Sequence, residues 1–491
     1  MKISITFFIL AAISISVLYG QQQRVRGLGG MTLISNDKDY ELNPFDFGDN
    51  PGYLMLDEKE THLRINPSLG FSWGDMRRAY DSEGKDIYGI NFRGIKALGE
   101  KGTFLGYTSY NHEIRKDYNR TLTYDPYGGE SFFVRDTTSG DYRYSGPRIN
   151  IQYSFPFTNE LYLGVSTTYQ LLDGLKSVYT NAQTIYREVD VTFGMVYMPL
   201  ETFIAGAKAG YADFQETIEA KDVNLLEVEI FNYRGDTYFI KQRGSSETQK
   251  IRKRRLIFGG QMFYQYGNII NVGLQGNYYP SNSKILIPQS GFIDVEEGYA
   301  SFDSYDLQGV VRMIPFKNTT AGVSFGYYSR DSWSRNSKLN LTLWEWNTNE
   351  ITGGGGIAYK VESIDLLLGG EIEFRQTKTD SLKHIDNRYV NDSFSDVLIK
   401  TGGEIEVLKD TYIRGGFNYG TKGFDLVTGG KDVTQMLVTF GVGYPLLESL
   451  YIDAYFEYGK QEAKESSYKV YNDKVSRSIL NGMISLRLNS F

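Results

Sequence analysis

From Leu63 to the carboxy terminus, stretches of about ten residues alternate apolar side chains with polar ones or glycine, the period of a β-strand with two different faces. Leu450, Ile452, Ala454, Phe456 and Tyr458 fall on one face of such a stretch, while Asp453, Tyr455, Glu457 and Gln461 fall on the other. The same division sets Val397, Ile399, Ile405 and Val407 against Asp396, Lys400, Glu404 and Glu406. It also sets Ile364, Leu366, Leu368, Ile372 and Phe374 against Asp365, Glu371, Glu373 and Arg375. Soluble sheets bury their apolar face on a second sheet and use strands of about 5–6 residues. Stretches about twice that length, with one apolar face, are predicted to meet lipid instead.

The connections support the same architecture. Tight turns are expected near Gly99–Gly102, Pro156–Glu160, Pro199–Glu201, Gly267–Asn268, Phe316–Asn318, Val361–Ser363, Leu408–Asp410 and Leu446–Ser449. Long polar loops are expected at Asn119–Asp141, Ala220–Ile251, Ile285–Gly298, Asp331–Thr348 and Lys378–Asn391, with shorter ones at Asp173–Gln183 and Thr421–Asp432. Short and long connections therefore alternate, as periplasmic turns and extracellular loops do in outer-membrane barrels. The count predicts an all-β, transmembrane antiparallel β-barrel of about 18 strands, with 16 or 14 as the smaller even alternatives. Aromatic residues near strand ends, such as Tyr153, Phe155, Tyr197, Tyr278, Tyr327 and Tyr444, suit girdles at the two membrane interfaces.

The amino terminus specifies the route. Met1–Gly20 has one lysine and a largely apolar run from Ile3 to Leu18, ahead of Gln21-Gln22-Gln23. This is the form of a secretory signal peptide, and cleavage is expected after Gly20. No later segment has the length of apolar sequence that a spanning helix needs, so a membrane span in the mature chain must be made of strands. The expected location is the bacterial outer membrane, with lipid and lipopolysaccharide around the barrel.

Composition narrows the chemistry. Among 491 residues there is no cysteine, which excludes thiol catalysis, disulfides, thiolate metal sites and a lipid-anchored amino terminus. Only 3 histidines, His62, His112 and His384, are available, and none neighbours a nucleophile motif, so no catalytic residue, metal or cofactor is expected. Gly353–Gly356 falls mid-strand without a following helix, which fits bending of a barrel wall better than a phosphate cradle. A net charge of -7 gives no field for nucleic acid. The basic run Lys250–Arg255 reads as a loop-to-strand flank or as a contact with lipid headgroups.

Residues 21–61 precede the first expected strand (62–491 being the barrel) and lack sustained alternation. A barrel this wide holds an aqueous channel unless something fills it. The segment reads either as a hatch folded inside the lumen or as a periplasmic tail. Its aromatic residues and Asn-Pro turns in Leu42–Leu54 favour the hatch. Gly27-Leu28-Gly29-Gly30-Met31 followed by Asn50-Pro51-Gly52-Tyr53-Leu54 resembles the amino-terminal hatch of the long-chain fatty-acid transporter type. The usual alanine and leucine of that family's turn are replaced here, and the strand count is higher. The whole chain is similar to outer-membrane barrels of the Bacteroidota type, which implies fold and location only.

The function expected from these features is an outer-membrane channel or gated transporter for a small, hydrophobic or amphipathic solute. The alternative is a non-conducting barrel that binds surface partners or other envelope proteins as a scaffold or secretion partner. The inward residues carry both signs of charge. Arg64, Arg93, Arg148 and Arg487 come from the first and last strands, which closure makes neighbours, while inward acids concentrate around Glu371–Glu406. The acidic stretch Asp37–Glu58 is therefore expected to dock against the basic side, making these four arginines, with Asn50 and Pro51, the candidate hatch or ligand contacts. The chain ends in Phe491, as barrels with a terminal aromatic assembly signal do, but on the parity opposite to Leu480, Ile484, Leu486 and Leu488; a final bulge would reconcile them.

Overall fold

Alternating valine, isoleucine, leucine and aromatic residues, separated at most turns by glycine, proline, asparagine or aspartate, make the described residues almost entirely strand. The computed structural model describes residues 49–57, 61–77, 81–118, 121–126, 139–177, 181–220, 230–231, 241–242, 247–267, 269–289, 293–384, 387–425, 430–447, 449–463 and 475–489. The expected signal peptide, most of residues 21–61 and Phe491 lie outside the described residues.

The first seven strands are β1 (His62–Gly74), β2 (Gly84–Ala97), β3 (Thr103–Tyr118), β4 (Gly140–Pro156), β5 (Leu161–Lys176), β6 (Gln183–Leu200) and β7 (Phe203–Ala220). A separate two-stranded pair follows, β8 (Ile230–Phe231) with β9 (Lys241–Gln242). The wall resumes with β10 (Glu247–Tyr266), β11 (Ile270–Gln289), β12 (Ile293–Phe316), β13 (Thr319–Asn336), β14 (Leu341–Val361) and β15 (Leu366–Lys383). It ends with β16 (Arg388–Leu408), β17 (Thr411–Asp425), β18 (Gly430–Leu447), β19 (Leu450–Ala463) and β20 (Val475–Asn489). Each barrel strand pairs antiparallel with its neighbour, β7 pairs with β10, and β1 pairs with β20, so one 18-stranded sheet closes on itself.

All eight tight turns expected from the sequence connect strands at one end of the barrel. Asn318 and Asp410 take left-handed backbone there, at φ 67 and 60, which their short polar side chains tolerate. At the other end three expected loops are much shorter than foreseen, because β11 and β12 run to Gln289 and from Ile293, β13 and β14 to Asn336 and from Leu341, and β15 and β16 to Lys383 and from Arg388. Strands accordingly span 13 residues in β1 and up to 24 in β12, rather than about ten. The alternation of apolar and polar residues marks only the part of each strand that meets lipid. Above it both faces are polar, and the ladder continues without that signal.

The outward face carries the expected belt. Phe193, Met195 and Tyr197 on β6, Phe258 and Met262 on β10, Ile351 and Ile357 on β14, and Phe456 and Tyr458 on β19 are all exposed. On β10 the outward apolar positions run from Tyr266 up to Leu256, ten steps of about 3.3 Å that at a tilt of about 40° span about 25 Å, the height of a bilayer's apolar band. A closed sheet with an apolar outer face of this height is a transmembrane barrel, and its place is the bacterial outer membrane. The tight turns share one end, the end that short turns occupy on the periplasmic side of outer-membrane barrels.

Candidate functional site in the barrel lumen

Immediately before β1 the chain crosses the inner wall near the periplasmic end. Pro51–Tyr53 forms a 3-10 turn and Leu54–Asp57 a single helical turn. Proline supplies the φ that the first turn needs and has no N–H to leave unpaired. Asn50 caps the turn, its Oδ1 accepting from Gly52 N at 2.9 Å. The Asn50 amide also donates to Met195 O at 3.2 Å on β6 and to Ala207 O at 3.0 Å on β7. Gln152 Nε2 donates to Pro51 O at 3.4 Å, and Ser154 Oγ donates to Gly52 O at 2.9 Å, both from β4. A fully buried asparagine with its polar atoms matched in this way is fixed in one orientation.

The wall is shaped to receive this turn. Gly164, Gly194 and Gly206, on the three adjacent strands β5, β6 and β7, face it. A Cβ at Gly164 would sit 2.4 Å from Pro51 C, and one at Gly194 2.0 Å from Asn50 Oδ1. Side chains there would occupy the space that the turn fills. Beside this cradle, Tyr53 packs with Val196, Ile204 and Phe263, and Leu54 packs with Ile95 and Leu105. Burying each of these two side chains is worth roughly 1.5–3 kcal/mol, and the Asn50 bonds add about 1 kcal/mol each. Apolar burial and asparagine recognition thus dominate the docking. Asp49 forms an ion pair with Lys208 of β7; the Lys208 side chain is buried whereas Asp49 is 45% exposed, so solvent screens the pair from one side.

This places the candidate residues in separate locations. Arg64, Arg93 and Arg487 do lie side by side, since Arg64 is in register with Arg93 on β2 and with Arg487 on β20. Arg148 lies apart on β4, within electrostatic reach of Glu188 and Asp190 on β6. Asn50 and Pro51 sit on β4 to β7. Of the two acids of this segment on described backbone, Asp49 and Asp57, Asp49 meets Lys208 instead of the arginine row, because the Asn50 turn seats it on the far strands. The remaining acids from Asp37 to Asp46, and Glu58, lie outside the described residues.

The acidic strands also supply their own cations. Lys400 pairs with Glu373 and, at 3.9 Å, with Glu371; Arg414 pairs with Glu404 and, at 2.6 Å, with Asp453. Arg375 reaches Glu350 at 3.4 Å. The inner wall is therefore a mosaic of local pairs, with less separation of sign than the order of charges along the sequence suggests. Lys360 and Asp365, which the alternation places in the lumen, instead pair at 3.2 Å at the periplasmic turn between β14 and β15. The three histidines are spread over the wall: His62 opens β1, His112 lies on β3, and His384 follows β15, 3.3 Å from Glu345.

Higher in the lumen lies a feature that alternation alone missed. Ala300 and Phe302 of β12 and Trp344 and Trp346 of β14 form a buried apolar cluster on inward positions. Lys253 Nζ and the Arg330 guanidinium each lie 4.8 Å from the centre of the Phe302 ring. Phe302 is 1% exposed, Trp344 7% and Trp346 4%, so this is a packed apolar cluster bordered by two cations. The sequence signal is Trp344-Glu345-Trp346, two tryptophans on the parity otherwise occupied by polar residues.

The profile of a family of unknown function, DUF6850, matches residues 52–342, and the chain belongs to that family. No curated protein matches it. Among solved structures the chain is similar to the toluene transporter TodX of P. putida, with 10% identity, coverage of 95% of this chain and 97% of that one, and a TM-score of 0.36. It is similar to a Pseudomonas aeruginosa FadL homologue, with 12% identity, coverage of 95% and 97%, and a TM-score of 0.36. It is also similar to the unliganded ferric citrate transporter FecA, with 9% identity, coverage of 88% and 79%, and a TM-score of 0.45.

Proposed function

We propose that this member of the DUF6850 family is a gated outer-membrane channel for a small amphipathic solute, with residues 21–61 acting as its hatch. The observation that carries the reading is the cradle of Gly164, Gly194 and Gly206 closed around Asn50-Pro51-Gly52. A tail hanging in the periplasm has no need of three inward glycines on adjacent strands and a buried, fully bonded asparagine. The solute class is read from the Phe302, Trp344 and Trp346 cluster with its two cations: it is packed in this closed state, and a solute with an apolar body and one negative group would replace its internal contacts in kind when the channel opens.

Flux into proteoliposomes tests this. A medium-chain alkyl or aromatic carboxylate is expected to enter faster than a neutral sugar of similar mass. Equal entry of the two would replace the gated channel by an open diffusion pore. Entry of neither would favour the scaffold, whose interior is filled for support.

A further inference from the structure

On the lipid-facing side, the basic run Lys250–Arg255 lies within β10, where alternation sends Lys250, Arg252 and Arg254 outward and Lys253 and Arg255 inward. Arg252 is in register with Gln215 of β7, and Gln215 with Arg187 of β6; Arg254 is in register with Asp213. Three guanidinium groups thus gather around one carboxylate. Asp213 lies 3.9 Å from Arg187, 3.4 Å from Arg252 and 3.6 Å from Arg254. These are long contacts, and one carboxylate cannot offer each arginine the short paired bonds that the group is built to make. All three arginines are about half exposed. On the next strand Lys284, in register with Arg252, extends the row and pairs with Glu296 at 2.8 Å.

The height of the row matters as much as its charge. Directly below it the outward residues are Tyr211 and Leu256, in register with each other, and then Phe258, all exposed. On β10 Leu256 marks the upper limit of the apolar band, so Arg254 and Arg252, just above it, stand at the headgroup level of the outer leaflet. Arg187 and Arg252 flank Gln215 at about 10 Å, two strand spacings, and long side chains can converge on one tetrahedral anion over that distance.

We propose that this patch on β6, β7 and β10 binds a phosphate group of a phosphorylated glycolipid in the outer leaflet, with Arg187, Arg252 and Arg254 as donors. The acyl chains then lie along Tyr211, Leu256 and Phe258, continuous with the apolar band. Charge complementarity and position at the top of the lipid belt select this occupant over a soluble anion or a second copy of the chain.

The test uses the folded, detergent-solubilised barrel, titrated with bisphosphorylated lipid A and with the same lipid A after phosphatase treatment, bound lipid being counted by native mass spectrometry. The parent is expected to prefer the phosphorylated form. The triple variant R187Q/R252Q/R254Q is expected to bind it about ten-fold more weakly, as fits the joint removal of three exposed charge-assisted hydrogen bonds, with unchanged heat-modifiable migration. Lys317→Gln at the periplasmic turn should leave binding as in the parent. Equal retention by the triple variant and the parent would overturn the proposal. So would displacement of lipid A by millimolar inorganic phosphate, which marks a general anion site, or a change in oligomeric state in place of lipid loss, which marks an interface between copies.

Discussion

Removal of Gln23–Asp57 is expected to raise the conductance of the barrel roughly several-fold, because it clears the segment that crosses the inner wall at one end of an 18-stranded lumen, while the buried cluster of Tyr118, Leu122, Tyr142 and Tyr144 stays packed higher up. The deletion takes away Asn50, Pro51, Tyr53 and Leu54 and exposes the apolar patch of Ile95, Leu105, Val196, Ile204 and Phe263 to lumen water. None of the strands loses a ladder partner, since the 18-stranded wall begins at His62. The barrel should therefore assemble and migrate as a heat-modifiable species. Planar-bilayer recordings decide the matter: steady large openings in the deletion, against brief or small ones in the parent, are the expected pair. Identical traces would reduce residues 21–61 to a tail resting on the wall.

The second large effect concerns the outer face. Phe456 is outward on β19, in register with Phe440 and Gly482, and is 47% exposed. It stands six residues above the periplasmic end of its strand, about 15 Å, near the middle of the apolar band. Phe456→Arg is expected to cost roughly 2–4 kcal/mol of barrel stability, which is enough to leave much of the protein unassembled. The adjacent Glu457→Gln changes an inward residue that contacts Tyr455 and Asn481, and it should leave assembly close to the parent's. Gel migration with and without heating reports both variants, and equal losses would contradict the facing of β19.

How far the sequence announced this architecture depends on which face is considered. The outward positions and the eight tight turns were legible because lipid demands apolar side chains at every second residue and most of the turns carry or adjoin glycine, proline, asparagine or aspartate. The upper reaches of β11 to β16 were not, since a strand whose two faces both meet water has no hydrophobic period, and its residues look like loop. The docking surface for the amino-terminal segment was hidden for the opposite reason. Around Val196, Ile204 and Phe263 both faces are apolar, one for lipid and one for Tyr53, so alternation vanishes there. Asn50-Pro51 marks a turn by its residue types alone, but its partners lie 145 to 157 residues away and no local pattern encodes them. The arginine row of β20, β1 and β2 followed from barrel closure, whereas the pairing of Asp49 with Lys208 depended on where the Asn50 turn seats the chain.

The central claim is that residues 49–57 must leave their cradle for solute to pass, and a reversible cross-link tests it most directly. The chain has no cysteine, so a pair can be introduced cleanly. A Cβ at Gly52 would sit 2.8 Å from Val196 Cγ2, close enough for Gly52→Cys and Val196→Cys to be joined. In proteoliposomes the oxidised double variant is expected to stop carboxylate flux, and reduction is expected to restore it to the level of the same protein never oxidised. Full flux through a barrel shown by mass spectrometry to carry the closed cross-link would contradict the gating account.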